Sequence, residues 1–208
     1  MNTFVYTNNF SLPNSLCNEI IYMFETTKNG KYDGHTAGGI NKNIKDTTDF
    51  LIPNEKIIKN IDTYTNQWIK IYNFLTKELI NNIKEYLKKN IDLINKTHEN
   101  TANDFELLPR KILINTIQIQ KYLKNKGKYI WHNDSQIEIK NSNRRVITFL
   151  WYLNNVFEGG ETCFVDNKIV PETGKLLLFP ADWSYPHRGN VPISNDKYIM
   201  TGWVYIDI

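Results

Sequence analysis

Three side chains in the C-terminal half of the sequence have the types and spacing of a metal site. His132 and Asp134 are two residues apart, and alternate residues of a strand point to the same face. We therefore expect an imidazole and a carboxylate side by side. His187 follows far downstream and would add a second imidazole from a distant strand. Together they predict a site that holds one side of a metal ion.

Two histidines and one carboxylate are the typical ligands of non-haem Fe(II) centres. They leave three adjacent coordination positions for a bidentate co-substrate and O2. Zinc could take the same ligands. A His-X-Asp triplet alone is a weak signal, because a histidine in a β protein is more often a hydrogen-bonded structural residue. The other two histidines, His35 and His98, fall in predicted loops and are interpreted as surface residues.

A lysine near the C-terminus is a second candidate for chemistry. Lys197 begins the last predicted strand and would share a face with Ile199, Thr201, Trp203 and Tyr205. A lysine on the inward face of a barrel strand is unfavourable unless an anion meets it, and the carboxylate of a bound small molecule would do so. The alternative is a lysine at the solvent end of the strand.

Composition indicates one globular domain. The chain has 208 residues and a formal net charge of +3, with its lysines scattered, so no basic stripe predicts nucleic acid as a partner. Cys17 and Cys163 are interpreted as buried reduced thiols. Because no apolar run approaches the ~20 residues of a membrane span and no signal peptide is visible, we expect a cytoplasmic location.

The N-terminal half is predicted to be mainly helical. Residues 1–12 indicate a short strand or arm, and a helix is expected from Pro13. Residues 29–53 are interpreted as loops with one short strand at most. Apolar residues recur at helical spacing over 54–95, which we expect to break into two helices because ~40 residues is long for one globular helix. Residues 96–110 are predicted to be a linker loop.

From residue 111 onward, short alternating or β-rich runs replace the helical pattern. About eight strands after two or three helices predict an α+β fold. The expected architecture is a double-stranded β-helix (jelly-roll) barrel with the N-terminal helices on one face. The runs are 112–122, 128–134, 144–153, 161–165, 168–170, 175–179 and 197–206, and turn signals between them include Arg188-Gly189-Asn190.

The order of short motifs in this region carries a family resemblance. The motifs are Ile117–Tyr122, His132–Asp134, Arg145–Asn154, Glu158–Thr162, Gly174–Pro180, His187 and Lys197 running to Trp203. In this order the chain resembles the Fe(II)- and 2-oxoglutarate-dependent dioxygenases, specifically the prolyl 4-hydroxylase-like group. The resemblance covers residues 112–208 well and the N-terminal half only loosely. It implies a single domain over 1–208, with 1–110 as helical support and substrate loop and 111–208 as the jelly-roll catalytic core.

The resemblance also implies roles for particular residues. His132, Asp134 and His187 would ligate iron, and Lys197 would pair with the distal carboxylate of 2-oxoglutarate. Other co-substrate contacts would be Tyr122, Thr148, Tyr152 and Trp203, although simple core filling is nearly as good an interpretation of Trp203. Thr148 and Tyr152 are four residues apart and so face the same side of a strand. Candidate substrate contacts are Arg145, Gln118, Gln120 and the aromatic Trp183.

The reaction implied is hydroxylation of a C–H bond, with oxidative decarboxylation of 2-oxoglutarate to succinate and CO2. Related halogenases lack the carboxylate, so Asp134 favours hydroxylation. The cofactors expected are Fe(II), 2-oxoglutarate and O2, with ascorbate as a candidate reductant. The leading hypothesis is a prolyl 4-hydroxylase acting on a peptide or protein.

Several alternatives stay open from the sequence. The same chemistry could act on a free amino acid, another side chain or a nucleobase, and a non-catalytic jelly-roll binding module is the alternative from another class. Residues 31–49 fall where prolyl hydroxylases carry a substrate-covering loop, and Gly34, Gly38 and Gly39 are suitable hinges. The sequence leaves the oligomeric state open.

Overall fold

The computed structural model describes residues 4–55, 64–97, 111–138 and 142–208. These residues form two helices and three antiparallel sheets of eight, five and two strands. The predicted α+β class is confirmed. Neither described helix combines the length and the hydropathy that crossing a bilayer would need.

The elements are numbered in chain order. The helices are α1 (Asn14–Thr26) and α2 (Thr65–Thr97). The strands before α2 are β1 (Tyr6–Asn8), β2 (Lys31–Asp33), β3 (His35–Thr36), β4 (Gly39–Ile40), β5 (Lys45–Asp46) and β6 (Thr48–Leu51). The strands after α2 are β7 (Leu113–Tyr122), β8 (Lys128–His132), β9 (Ile137–Glu138), β10 (Asn143–Tyr152), β11 (Thr162–Phe164), β12 (Lys168–Ile169), β13 (Leu176–Pro180), β14 (His187–Gly189) and β15 (Lys197–Asp207).

The large sheet has the order β1-β13-β10-β15-β7-β6-β2, and β9 pairs with β10. Its central strands are buried on both faces, which explains their long apolar runs. One face, with Phe149 and Met200, packs in the same hydrophobic cluster as α1 and α2. The other face, with Leu150 and Ile199, packs with Phe164 of the five-stranded sheet. The second cluster therefore lies between the two sheets.

Helix α1 begins where the sequence predicts. Pro13 occupies the N-cap position with extended backbone, and a proline there removes no hydrogen bond from the helix because the first N–H groups have no intrahelical partner. Cys17, Ile20 and Phe24 form part of its buried face. Both Cys17 and Cys163 are buried and free, as predicted.

Helix α2 corrects the sequence prediction, because residues 65–97 form one helix of 33 residues and not two shorter ones. Neither proline nor glycine interrupts it. Its buried apolar side chains recur at helical spacing and keep one stripe against the large sheet. They are Trp68, Ile71, Tyr72, Leu75, Leu79, Ile83 and Tyr86. Residues 56–63, and most of the predicted linker, lie outside the described residues.

Two further segments differ from the prediction. Residues 29–53 contain five short strands instead of one at most, because segments of two to four residues are too short to show alternation and form by pairing with longer strands. The predicted turn at 188–190 falls largely within β14, which pairs with β8 and β11.

The five-stranded sheet has the order β12-β11-β14-β8-β5. It makes β8 and β14 neighbours although more than 50 residues separate them along the chain. His132 and His187 are directly opposite each other in this ladder. The pairing therefore brings the two predicted histidine ligands together.

Candidate metal centre and its cavities

A β-bulge in β8 determines the face on which His132 lies. Between β8 and β14, the step from Tyr129 to His132 covers three residues, whereas the opposing step from Gly189 to His187 covers two. An extra residue of this kind shifts the alternation of side chains. Tyr129 and His132 consequently both line the same cavity, and the two residues between them are exposed.

Asp134 lies beside His132, as predicted, but for a different reason. Strand β8 ends at His132, so Asp134 belongs to the following segment and strand alternation does not place it. Its carboxylate is buried, with Oδ1 3.8 Å from His132 Nε2 and Oδ2 3.5 Å from His187 Nε2. One ligand atom from each of the three residues lies within 4.8 Å of the others.

Both histidines are held in the tautomer that metal binding needs. His132 Nδ1 lies 2.8 Å from the Ile130 carbonyl oxygen, and His187 Nδ1 lies 3.0 Å from that of Tyr185. A carbonyl can only accept, so each Nδ1–H donates and each Nε2 keeps its lone pair for a metal. The His132 ring also stacks on Tyr129, with ring centroids 3.5 Å apart.

The electrostatics favour the protonation states of metal ligands. Burial and the neighbouring His187 lower the pKa of His132 to about 4. Burial alone would raise the pKa of Asp134, but His187, His132 and a hydrogen bond from Thr148 outweigh it and lower that pKa. The Thr148 hydroxyl donates to Asp134 Oδ2 at 2.7 Å. A neutral imidazole and an ionised carboxylate are the forms that bind a divalent cation.

Lys197 lies in the same cavity and is buried. Its Nζ donates to the Gly160 carbonyl oxygen at 2.9 Å and lies 4.0 Å from the centre of the Tyr122 ring. Burial, only partly offset by Glu161, lowers the pKa of Lys197 to about 7. No carboxylate of the described residues forms an ion pair with it. An anion bound here would supply the missing partner.

The first cavity has about 50 Å³ of free volume and contains both the metal ligands and Lys197. Not all of the predicted co-substrate residues line this cavity. Tyr122, Thr148 and Trp203 line it. Tyr152 does not, and its hydroxyl donates to Thr162, which does, at 2.6 Å.

A second cavity of about 420 Å³ adjoins the first, because Asp134 and Trp203 line both. Of the predicted substrate contacts, Gln118, Gln120 and Arg145 line it. The Arg145 guanidinium carbon lies 3.5 Å from the centre of the Trp203 ring. Buried Arg145 Nε has no hydrogen-bond partner among the described residues. The Arg145 side chain therefore brings a positive charge to the wall of this cavity.

The substrate contact of Trp183 stays a prediction. Its side chain is 75% exposed and lines neither of these cavities. His35 is exposed, as predicted, but it also lines the second cavity. His98 lies outside the described residues.

Sequence reasoning missed several residues that line these cavities. Tyr129 was missed because only the bulge turns it toward His132. Lys45 was missed because its strand is two residues long. It is 3% exposed and forms a 2.7 Å ion pair with Asp49. The other missed residues are Thr36, Ala37, Asn133, Ser135 and Gln136 in the second cavity, and Leu150, Thr162, Phe179 and Gly189 in the first.

Comparison with known proteins identifies a family that part of the chain resembles. Residues 117–205 match the 2OG-Fe(II) oxygenase superfamily. A curated relative described as a putative prolyl 4-hydroxylase, from Acanthamoeba polyphaga mimivirus, is 28% identical over 145 residues. That alignment covers 61% of this chain and 59% of the relative, so it spans less than two thirds of the relative's length.

Solved structures share the fold. The viral collagen prolyl hydroxylase of Paramecium bursaria Chlorella virus-1, in its 2OG complex, has a TM-score of 0.58 at 16% identity and covers 99% of this chain and 97% of its own. A Pseudomonas putida prolyl-4-hydroxylase has 0.57 at 15%, covering 96% and 91%. A Trichoplax adhaerens prolyl hydroxylase, in complex with a hypoxia inducible factor oxygen degradation domain peptide fragment, has 0.61 at 19%, covering 99% and 84%.

Residues 117–205 are therefore similar to the 2OG-Fe(II) oxygenase superfamily, a family of oxidoreductases. Within it, the resemblance to the prolyl 4-hydroxylase-like group that the motifs predict is confirmed.

Proposed function

We propose that this protein is an Fe(II)- and 2-oxoglutarate-dependent dioxygenase that hydroxylates a prolyl residue of a peptide or protein and releases succinate and CO2. One observation carries the proposal: a three-donor metal centre and a buried lysine without an anionic partner share one cavity. A metal site alone would not call for the lysine.

The chain's donors fit the cofactors of this family. His132, Asp134 and His187 would hold Fe(II) through two Nε2 atoms and a carboxylate oxygen, which leaves positions for 2-oxoglutarate and O2. Bound iron would supply the activation of O2 that is coupled to decarboxylation of 2-oxoglutarate. Lys197 would bind the distal carboxylate, and Tyr122 beside it would close that end of the cavity. Ascorbate as a reductant stays a prediction.

Thr148 has a supporting role in this proposal. Its hydroxyl donates a hydrogen bond to Asp134 Oδ2. Thr148 would therefore orient the carboxylate and fix which oxygen faces the metal. The predicted co-substrate contacts of Thr148 and Tyr152 stay predictions. Trp203 would separate the co-substrate from the second cavity, because it lines both.

The second cavity supports a peptide as substrate. Arg145, Gln118 and Gln120 present polar groups to it, and guanidinium and amide groups suit the carbonyl oxygens and N–H groups that recur along a peptide. The solved relatives named as a collagen prolyl hydroxylase and as a complex with a hypoxia inducible factor peptide fragment agree with this choice. We also infer that the two larger sheets are the walls of a jelly-roll barrel and that 1–208 is one domain.

In this proposal the substrate lid is shorter than the predicted segment of residues 31–49. Asp49 and Phe50 are almost wholly buried, and Lys45 and Asp49 form a buried ion pair. The hairpin β3–β4 is largely exposed, and its His35 and Thr36 line the second cavity. We propose that this hairpin closes over the substrate. Limited proteolysis that cuts it equally with and without ligand would contradict this.

The test is anaerobic titration of metal-free protein with Fe(II) and then 2-oxoglutarate, read by the visible charge-transfer band, with Asp134→Ala and Lys197→Ala alongside. We expect a band that weakens in both variants. Proline-containing peptides would then be screened aerobically for a gain of one oxygen atom by mass spectrometry. A wild type with neither band nor tight Fe(II) binding would contradict the proposal and favour a binding module.

A further inference from the structure

Gly189 stands out among the residues that line the first cavity. It lies on β14, two residues after His187. A Cβ atom there would lie 3.4 Å from Tyr122 Cε1, 3.6 Å from Lys197 Nζ and 3.7 Å from Tyr122 Oη. The missing side chain therefore leaves space next to the lysine ammonium.

Neither backbone nor packing requires glycine at this position. Gly189 has no positive φ, and it sits in a strand paired on both sides. Its added Cβ would make only ordinary van der Waals contacts. By contrast, Gly159 has φ +72°, and a Cβ on Gly202 would collide with the Thr116 carbonyl oxygen. Those glycines serve the fold, whereas the space at Gly189 serves no contact within the protein.

The space at Gly189 is where an anion would meet Lys197. The Lys197 side chain is 1% exposed, and its Nζ makes one hydrogen bond, to Gly160. An ammonium group has three donors, so two N–H groups are available to a ligand. A carboxylate at about 2.8 Å from Nζ and a methyl group 3.6 Å from the same atom would compete for one volume.

We propose that Gly189 is a specificity-determining residue that leaves room for the distal carboxylate of a five-carbon 2-oxo diacid beside Lys197 and Tyr122. This inference rests on the proposed function. The absent side chain sets how far a co-substrate held at the metal can extend. A methyl group at this position shortens the cavity at its lysine end, and a diacid with one carbon fewer is affected less.

The experiment uses Gly189→Ala, with Arg188→Ala as the matched control. Arg188 is the adjacent residue of β14, is exposed and contacts Trp131 on the outer surface. Both variants and the wild type are titrated anaerobically with Fe(II), then with 2-oxoglutarate or with the four-carbon oxaloacetate. Binding is read by calorimetry and by the charge-transfer band, and folding by thermal unfolding.

We expect Gly189→Ala to raise the Kd for 2-oxoglutarate by about tenfold, since one extra methyl in a filled site costs that order of affinity. Its Kd for oxaloacetate should rise less, so the preference for 2-oxoglutarate over oxaloacetate should become smaller. Fe(II) binding and the unfolding temperature should match the wild type. Arg188→Ala should match it in every measurement.

Two outcomes would overturn the inference alone. One is a Gly189→Ala protein that binds 2-oxoglutarate as the wild type does. The other is a Gly189→Ala protein that does not fold, because glycine would then serve the fold. A wild type that binds Fe(II) but neither diacid would overturn the proposed co-substrate and this inference together.

Discussion

The two ends of the first cavity are built in opposite ways. At the metal end, Asp134 lies between two imidazoles and accepts a hydrogen bond from Thr148, so the protein orients the carboxylate and leaves its charge to a bound cation. At the other end, Lys197 is buried with a carbonyl oxygen and an aromatic ring as its contacts. Burial without a counter-ion is unfavourable for a cation. One end therefore has a preformed set of donors for a cation, and the other has a cation that needs an anionic ligand.

The supporting elements differ as well. The metal ligands come from short or irregular segments, namely the end of bulged β8, the segment after it, and the three-residue β14. Lys197 and Tyr122 face each other across the long ladder of β15 and β7. The metal end depends on local hydrogen bonds for its geometry. The lysine end is held by a rigid sheet that keeps an unfavourable charge in place.

Removing the carboxylate should have the largest effect. Asp134→Ala deletes the ligand charge that faces both histidines, so we expect Fe(II) affinity to fall by more than about 100-fold. Anaerobic calorimetric titration with Fe(II) measures it. Glu158→Ala, at an exposed carboxylate outside both cavities, is the control. Unchanged Fe(II) binding in Asp134→Ala would remove the metal end from the comparison.

Replacing the lysine should separate stability from binding. In Lys197→Met, loss of a buried unpaired cation should raise the free energy of unfolding of the ligand-free protein by about 1–2 kcal/mol. The same change should weaken 2-oxoglutarate binding by about 100-fold, because the distal carboxylate loses its partner. Urea unfolding and charge-transfer titration measure the two effects. A variant that is less stable than the wild type would contradict the view that this end is incomplete.

The hydrogen bond to the carboxylate should matter less than the ligand itself. Thr148→Val keeps the shape of the side chain and deletes the donor to Asp134 Oδ2, so we expect Fe(II) affinity to fall by about tenfold. Thr148→Ser keeps the hydroxyl and is the matched control. The comparison is a calorimetric Fe(II) titration of the three proteins. Equal affinities in Val and Ser variants would show that Thr148 fills space and does not orient the ligand.

The predictable part of the site is carried by local chemistry. The types and spacing of His132, Asp134 and His187 predict a set of metal ligands. The inward position of Lys197 on the last strand predicts an anionic ligand. The metal set follows from residue type and spacing, although Asp134 lies beyond the end of β8, and the inward position of Lys197 follows from a period of two. The α+β class follows from the change of period near residue 111.

The remaining features depend on pairing that a single sequence does not display. Tyr129 reaches His132 only because β8 has a bulge against β14. Strand β14, which carries His187, forms by pairing with β11 and β8, although its residues resemble a turn. The aromatic character of Trp183 predicts a substrate contact, which stays a prediction because its loop leaves the side chain exposed. The space at Gly189 has meaning only once Lys197 lies beside it.

The smallest expected effect is a pH dependence that sharpens the difference between the two ends. Burial lowers the pKa of Lys197 from 10.5 to about 7 in the ligand-free protein. Because the folded state then binds fewer protons than the unfolded state between these values, this group makes stability rise with pH across that window.

Binding of a dianion needs the protonated lysine, so the affinity for 2-oxoglutarate should fall as pH rises. We expect 2-oxoglutarate binding to weaken by about threefold over the pH unit centred on 7. Charge-transfer titrations across this range measure it, with Lys197→Arg as the control, since a guanidinium stays charged throughout. A wild-type profile as flat as that of Lys197→Arg would mean that Lys197 keeps its proton without the ligand, and that the ligand-free protein compensates the charge at the lysine end of the cavity.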